Sequence, residues 1–283
     1  MQAVASGVML GCLYTLMALG FSMILGVRHS LNLAHGELVL LGGYVGYSLW
    51  AAFALHPLLL VPIGAAALLP LAFVWQRLLD RLPEPRELNS LVLTFGLALL
   101  LQNGMLTAWT GEYRLISSPS LNASTRIAGI ALNHGRVFVA FVALVAVVTL
   151  QLGLTRTRWG RAVRATSLDR EAAALLGINV DAATRTTFVL ALLLTGAAGV
   201  LFATIHYLYP AEGVELTLLA IVLTIWAGVG RLRTVLAAGL LLGVVEALTV
   251  AWTGPGWREP VVALLLLASL LARSGGLARG WPH

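Results

Sequence analysis

The chain has no lysine: its 18 basic residues are all arginine. A Walker-type phosphate loop needs a lysine on the β/γ-phosphates, and Schiff-base chemistry needs a lysine amine, so neither is available. Cysteine occurs once, at Cys12, which excludes an internal disulfide and any cysteine-rich zinc or iron–sulfur site. Charge is scarce, with 11% of residues charged against about 25% in soluble domains. Apolar residues make up 59% of the 283 positions. A chain of this length cannot bury so much apolar surface and still cover itself with polar groups, so it is dissolved in a bilayer. The net charge of +6 could suggest nucleic acid, but the positions of the arginines point elsewhere.

Apolar stretches of membrane-crossing length recur at 4–27, 36–55, 57–76, 90–109, 136–154, 187–208, 216–230, 234–252 and 259–273. The stretches 216–230 and 259–273 are short for a full span. The Gly-rich run 30–50 is either continuous or broken and re-entrant. Eight or nine crossings are expected. Only helices close all backbone hydrogen bonds within one segment, so the expected architecture is an all-α polytopic bundle forming one domain over 1–283. Arg28, Arg77, Arg81, Arg86, the six arginines from Arg156 to Arg185, Arg231, Arg233, Arg273 and Arg279 fall on one face, fourteen in all. Only Arg114, Arg126, Arg136 and Arg258 fall on the other. The positive-inside rule places the fourteen in the cytoplasm and the N-terminus outside. Met1 to Gly26 has no basic start and no small-residue cleavage site, so it reads as a retained helix.

Polar groups at membrane depth are costly and therefore informative. Asn32 and His35 are three apart and would share a helix face, with Glu37 pointing away from both. Asn32 either caps a helix at the inner membrane edge or joins His35 and Glu37 on a polar path. Thr94, Gln102 and Asn103 in the fourth span either line such a path or hydrogen-bond between helices. Glu246 sits mid-span with no basic residue in its own helix. It must pair with another helix, face water or remain protonated. Gly42, Gly43 and Gly46, together with Gly239 and Gly243, have the small-residue spacing that lets helices approach closely. There is no HExxH, no second histidine at metal spacing and no credible Ser-His-Asp set, so neither catalysis nor a bound metal or cofactor is expected of this chain.

The inner loop from Thr155 to Thr186 reads as a basic approach (Arg156, Arg158, Arg161, Arg164), a short helix and a stop. Ser167 and Asp169 are candidate N-caps, Glu171 to Leu176 are helix formers, and Gly177 is placed as a C′ stop. Asn179 and Asp181 can then cap the next span. A short charged helix on the cytoplasmic face suits docking onto a soluble partner; the alternative is a helix resting on anionic lipid, which Asp169 and Glu171 disfavour.

The run Glu171-Ala-Ala followed by Gly177 resembles the EAA signature of ABC-importer permeases. The wider run from Gly160 to Asn179, and Leu31-Asn-Leu-Ala-His-Gly-Glu37 with Gly42-Gly-Tyr44, resemble the LivH-type permeases of branched-chain amino acid ABC transporters. A third block, Ala227 to Glu246, is similar to the family's Gly-rich turn and helix, but Arg231, Arg233 and Thr234 depart from its pattern. So does Arg273-Ser-Gly-Gly-Leu277. The resemblance implies an importer subunit in the bacterial or archaeal inner membrane. It implies a second permease chain (LivM-like, or a second copy), two cytoplasmic ATPases that use the ATP, and an external solute-binding protein. Within the inner loop it implies that Arg164, Asp169, Arg170, Glu171, Ala172, Ala173 and Gly177 meet the ATPase. Branched-chain or other amino acids are the implied cargo, with urea or short amides as the alternative. A secondary transporter or channel is the rival of another class, and would more often show charged pairs within several spans.

Overall fold

The computed structural model describes residues 1–127, 129–228, 232–257, 260, 261, 263–265 and 267. Arg231, Arg258, the stretch 273–277 and much of the 259–273 span lie outside the described residues, as does the side chain of Arg233.

The chain is a helical bundle. In order it forms α1 (Gln2–Arg28), α2 (His35–Phe53), α3 (Pro57–Ala67), α4 (Leu69–Asp80), α5 (Arg86–Trp109) and the single turn α6 (Pro119–Asn122). A two-stranded hairpin, β1 (Ser124–Ile127) and β2 (Ile130–Asn133), follows. Then come α7 (His134–Arg156), α8 (Arg158–Leu168), α9 (Arg170–Leu175), α10 (Val180–Ala203), α11 (Gly213–Ala227) and α12 (Leu232–Thr253). Among the described residues, seven helical segments are long and apolar enough to cross a membrane, with α3 and α4 counted as one. That pair breaks at Leu68 because Pro70, at the second position of α4, has no N–H to continue the ladder.

Sidedness is consistent across the molecule. The side-chain amide of Gln2 brackets Ala131, donating to its carbonyl at 2.6 Å and accepting from its N–H at 2.8 Å. The N-terminus and the outer hairpin are thereby on one face. At the opposite face Arg28 pairs with Asp80 at 2.8 Å, and Arg170 with Asp181 at 3.0 Å. The arginine-rich segments are therefore gathered on one side. The outer loop between α5 and α7 contains the hairpin, with Ser124 opposite Asn133 and Arg126 opposite Ala131.

α1 is the central element, packed against α7, α10, α11 and α12. It crosses α12 where glycines face each other: a Cβ on Gly7 would lie 2.6 Å from the Gly243 carbonyl, and one on Gly11 2.6 Å from that of Gly239. α2 crosses α10 along a second such seam. There Gly42 would meet Gly196 at 2.7 Å, Gly43 the Gly199 carbonyl at 2.8 Å, and Gly46 the Val200 side chain at 2.9 Å. Lipid offers apolar contacts as good as a neighbouring helix does, so association depends on this close backbone approach.

Two chain reversals interrupt the helices within the bundle. The Nε2 of His35 lies 3.0 Å from the Met17 carbonyl, yet Met17 is eleven residues, about 16 Å, before the end of α1. Residues 29–34 therefore turn back alongside α1, and α2 starts deep inside. Of the run 30–50, residues 30–34 form the re-entrant turn and 35–50 are continuous helix. A counterpart follows α10: Leu208 packs on Gly43 and pairs with Arg114, and Gly213 opens α11 against Glu37. α1 and α10 run antiparallel, with Gly20 beside Thr195 and the Arg28 guanidinium 5.3 Å from the Phe188 ring. Each of these long helices thus leads into a re-entrant stretch and a second helix that begins inside the bundle, in opposite senses. The backbone directions relate the two by an inverted repeat.

The seams separate glycines that pack from one that does not. Gly199→Val would drive a side chain into the Val39 carbonyl, whereas Gly153 has nothing within 4 Å of its Cβ position. Gly199→Val is expected to abolish recovery of monodisperse protein. Gly153→Ala should raise the thermal midpoint slightly, by roughly 0.5–1 kcal/mol of helix propensity. Fluorescence-detected size exclusion with a temperature ramp reads both.

Candidate functional site

Where the two reversals meet, backbone touches backbone. A Cβ on Gly36 would run into the Gly213 carbonyl. The Gly36 N–H, an orphan donor of the first turn of α2, donates to Thr217 Oγ1 at 2.8 Å. Thr217 in turn donates to the Gly213 carbonyl at 2.9 Å within α11. On the other side, Leu33 N–H donates to Thr94 Oγ1 at 3.2 Å, which brings α5 onto the reversal. Asn32 is buried, and its Oδ1 accepts from Ala34 N–H at 3.1 Å. This local turn precedes the helix, so Asn32 and His35 do not share a helix face: α2 begins only at His35. Nor does Asn32 cap α2: the N-cap is Ala34, which makes no side-chain cap bond, and Asn32 closes only the turn before it.

His35 is fully buried, donating from Nε2 to the Met17 carbonyl and meeting the Phe21 ring edge-on at 5.4 Å. It is a strut between α2 and α1. Glu37, 1% exposed, lies in the first turn of α2 with its carboxyl group over Gly213, the first residue of α11. Two helix N-termini thus flank one carboxyl group.

The other polar residues of the spans are elsewhere. Thr94 and Asn103 lie on opposite sides of α5: Thr94 faces the reversal, while Asn103 is exposed and donates to the Leu99 carbonyl of its own helix at 2.8 Å. Gln102, about 100° around from Asn103, is half-buried. The bond between helices considered for Asn103 is not made within this chain. Glu246 is buried in α12, 4% exposed, and is not in this group. The sequence reading missed Thr217, Gly36 and Gly213; a glycine opening a helix at Gly213, four before Thr217, was the available signal.

The cytoplasmic arm is built from caps. Thr157 accepts from Gly160 N–H at 3.0 Å and starts α8, so the supposed basic approach is itself a helix. Trp159 Nε1 donates to Thr186 Oγ1 at 2.7 Å, holding α8 against α10. Asp169 caps α9, accepting from Ala172 N–H at 2.9 Å. Ser167 is no cap: its hydroxyl donates back to the Arg164 carbonyl. Gly177 has φ +79°, with its N–H bonded to the Ala174 carbonyl and Ile178 N–H to that of Ala173, a Schellman stop. Asn179 then caps α10, accepting from Ala182 N–H at 2.9 Å. Ala173 is buried beneath the arm, whereas Leu168, Leu175 and Leu176 are more than 80% exposed. Arg164, Arg170, Glu171 and Ala172 surround them at the surface.

Among the described residues, no group of three or more His, Cys, Asp or Glu could hold a metal ion. His35 is committed to a carbonyl and a ring, and so holds α2 against α1.

The family model described as branched-chain amino acid transport system / permease component matches residues 3–270. The chain is 31% identical to the high-affinity branched-chain amino acid transport system permease protein LivH of Salmonella typhimurium LT2, over 99% of this chain and 96% of that protein. LivH of Escherichia coli K12 is 29% identical with the same coverage. BraD of Pseudomonas aeruginosa PAO1 is 27% identical over 98% of this chain and 95% of that one. No solved structure matches.

Removing the Thr217 hydroxyl should leave the buried Gly36 N–H unsatisfied, a loss of about 1–3 kcal/mol. Thr217→Val is expected to lower the thermal midpoint of the detergent-purified protein clearly, and Thr217→Ser to restore it. Equal midpoints for Val and wild type would show that the junction does not depend on this bond.

Proposed function

Since the chain belongs to the permease component family of branched-chain amino acid transport systems, we propose that its cytoplasmic arm receives the stroke of a separate ATPase and passes it to the re-entrant junction. The chain is a multi-pass inner-membrane permease of an ATP-driven importer. Branched-chain amino acids are the cargo named for its relatives and the cargo proposed here. The observation that carries the mechanism is the arm itself. Three exposed leucines flank the short capped helix α9, Leu168 at the end of α8 and Leu175 and Leu176 at the end of α9, and with the charge around them they form a knob that water disfavours. Each leucine buried against a partner is worth about 1.5–3 kcal/mol.

The knob is joined to α10 without slack. The Schellman stop at Gly177, the Asn179 cap and the Arg170–Asp181 pair fix the angle between α9 and α10. α10 carries any tilt inward to Thr195 beside Gly20, and to Gly196 and Gly199 on α2. α2 begins at the junction, so a tilt of α10 reaches the ends of both re-entrant helices. Packed cores switch between discrete arrangements rather than deforming continuously.

The open face of α5 supports the position of the pathway. Gly96, Leu100, Asn103, Gly104 and Thr107 recur along one side, with Gly96 and Gly104 free of any neighbour within 4 Å. An exposed asparagine facing lipid alone would be costly. We assign this face to contact with the second permease subunit, with Asn103 and Thr107 turned to the solute between them. Two ATPases and an external binding protein complete the proposed assembly, and ATP is used by those partners.

Two expectations follow from this reading. Leu175→Asp and Glu171→Arg should each lower leucine uptake and ATPase co-purification at least fivefold, while the permease reaches the membrane at normal abundance. Unchanged co-purification in both would remove the coupling role. Separately, Asn103→Leu should reduce leucine uptake in proteoliposomes about tenfold with ATPase co-purification intact. Full uptake would mean that this face meets only lipid. Parallel assays with urea and acetamide should show no transport.

A further inference from the structure

The cytoplasmic ends of α1, α4, α5 and α10, with the start of α9, enclose a cavity of about 310 Å³. A second cavity, of about 640 Å³, runs along α4 and α10 past Phe73, Val189, Leu190 and Leu193, with Trp159 on its wall. Gln76, Asp80 and Arg185 line both, so the two form one groove with a charged end and an apolar end.

The charges at the polar end do not balance. Asp80 is matched by Arg28 at 2.8 Å and Asp181 by Arg170 at 3.0 Å. Arg86, also on the wall, pairs with Glu84 at 3.0 Å, leaving Glu87 as the remaining acid there. Arg77 and Arg185 make no ion pair among the described residues, and both line the segment where charged and apolar walls meet. From Arg185 to Leu193 the groove follows α10 for about 12 Å, which takes it well into the hydrocarbon layer. The Trp159 indole is fixed at the same level as Arg185 by its bond to Thr186, the position of an interfacial aromatic anchor.

We propose that this groove binds one anionic phospholipid of the cytoplasmic leaflet. Its phosphate lies between Arg77 and Arg185, and an acyl chain follows Phe73, Val189, Leu190 and Leu193. Guanidinium groups suit phosphate oxygens, and basic pockets between helices on the cytoplasmic side suit anionic headgroups. A zwitterionic lipid would bring a cationic headgroup to two unmatched arginines. A free phosphate would use the arginines and leave the apolar half of the groove unfilled. The phosphate position between Arg77 and Arg185 lies behind α9, not on its exposed leucines, and of the residues assigned to the ATPase only Arg170 lines the groove.

The test uses the assembled transporter, delipidated in mild detergent and then incubated with phosphatidylglycerol or phosphatidylcholine, with bound lipid counted by native mass spectrometry. Phosphatidylglycerol should be retained and phosphatidylcholine not. Arg77→Gln with Arg185→Gln should weaken retention about 25-fold, at roughly fivefold for each arginine near the surface. The matching Lys pair should keep most of it, which separates charge from folding. Leu190→Trp, which fills the apolar end and leaves the arginines in place, should also lower retention. Equal retention of the two lipids, unchanged retention in the Gln pair, or displacement by millimolar inorganic phosphate would each overturn the proposal. The last outcome would identify a soluble-anion site instead.

Discussion

A backbone that stops being helical inside a bilayer must find partners for its N–H and C=O groups within the protein, because hydrocarbon supplies none. That requirement is imposed at two places in this chain, residues 29–34 and the stretch between α10 and α11. Much of the bundle is arranged to meet it. Thr94 and Thr217 approach from different helices to take the N–H groups of Leu33 and Gly36, and Asn32 folds back on Ala34. Neither threonine could reach without the close packing around it. The glycines are therefore part of the same solution, since they let α2 and α10 come near enough for hydroxyls one bond long to close the gaps.

The cost of this construction is concentrated, and so is its use. Long uninterrupted helices resist bending. Two helices that begin inside the bundle and touch end against flank can pivot with few broken contacts. The inverted placement of the two reversals means that one opens from the cytoplasmic side and the other from the outer side. α10 packs along α2 and leads into the second reversal, so under the proposed mechanism its motion would bias the two openings in opposite directions, the reciprocity that alternating access needs.

Legibility from sequence followed the range of the governing interaction. The caps at Asp169 and Asn179 and the Gly177 stop act within three or four residues, and each was readable. Sidedness was readable too, because arginine counting needs no tertiary knowledge. The helical character of α8 was hidden by its arginines, which drew attention from Trp159, Val163 and Thr166 at helical spacing on its inner face. The junction was not readable: Gly36 and Thr217 are 181 residues apart, and nothing local marks them as neighbours. Asn32 and His35 were placed on one helix by their spacing, but spacing carries that meaning only once the helix has begun. Gln102 and Asn103, adjacent in sequence, diverge by about 100° on α5, so they could not both serve one path.

The central place of α1 has a consequence for biogenesis. Among the described spans it is made before the others, and it is the one most completely buried by helices made later. α12, whose glycines it faces, is complete more than 200 residues afterwards. At 5–20 residues per second that is a wait on the order of 10–40 s. During this interval α1 must rest in lipid or at the insertion machinery with Gly7 and Gly11 unoccupied. Its apolar character on every side suits that sojourn, because no face of the nascent helix is penalised before its partners exist. The bundle is thus assembled inward, around a segment that was already in place.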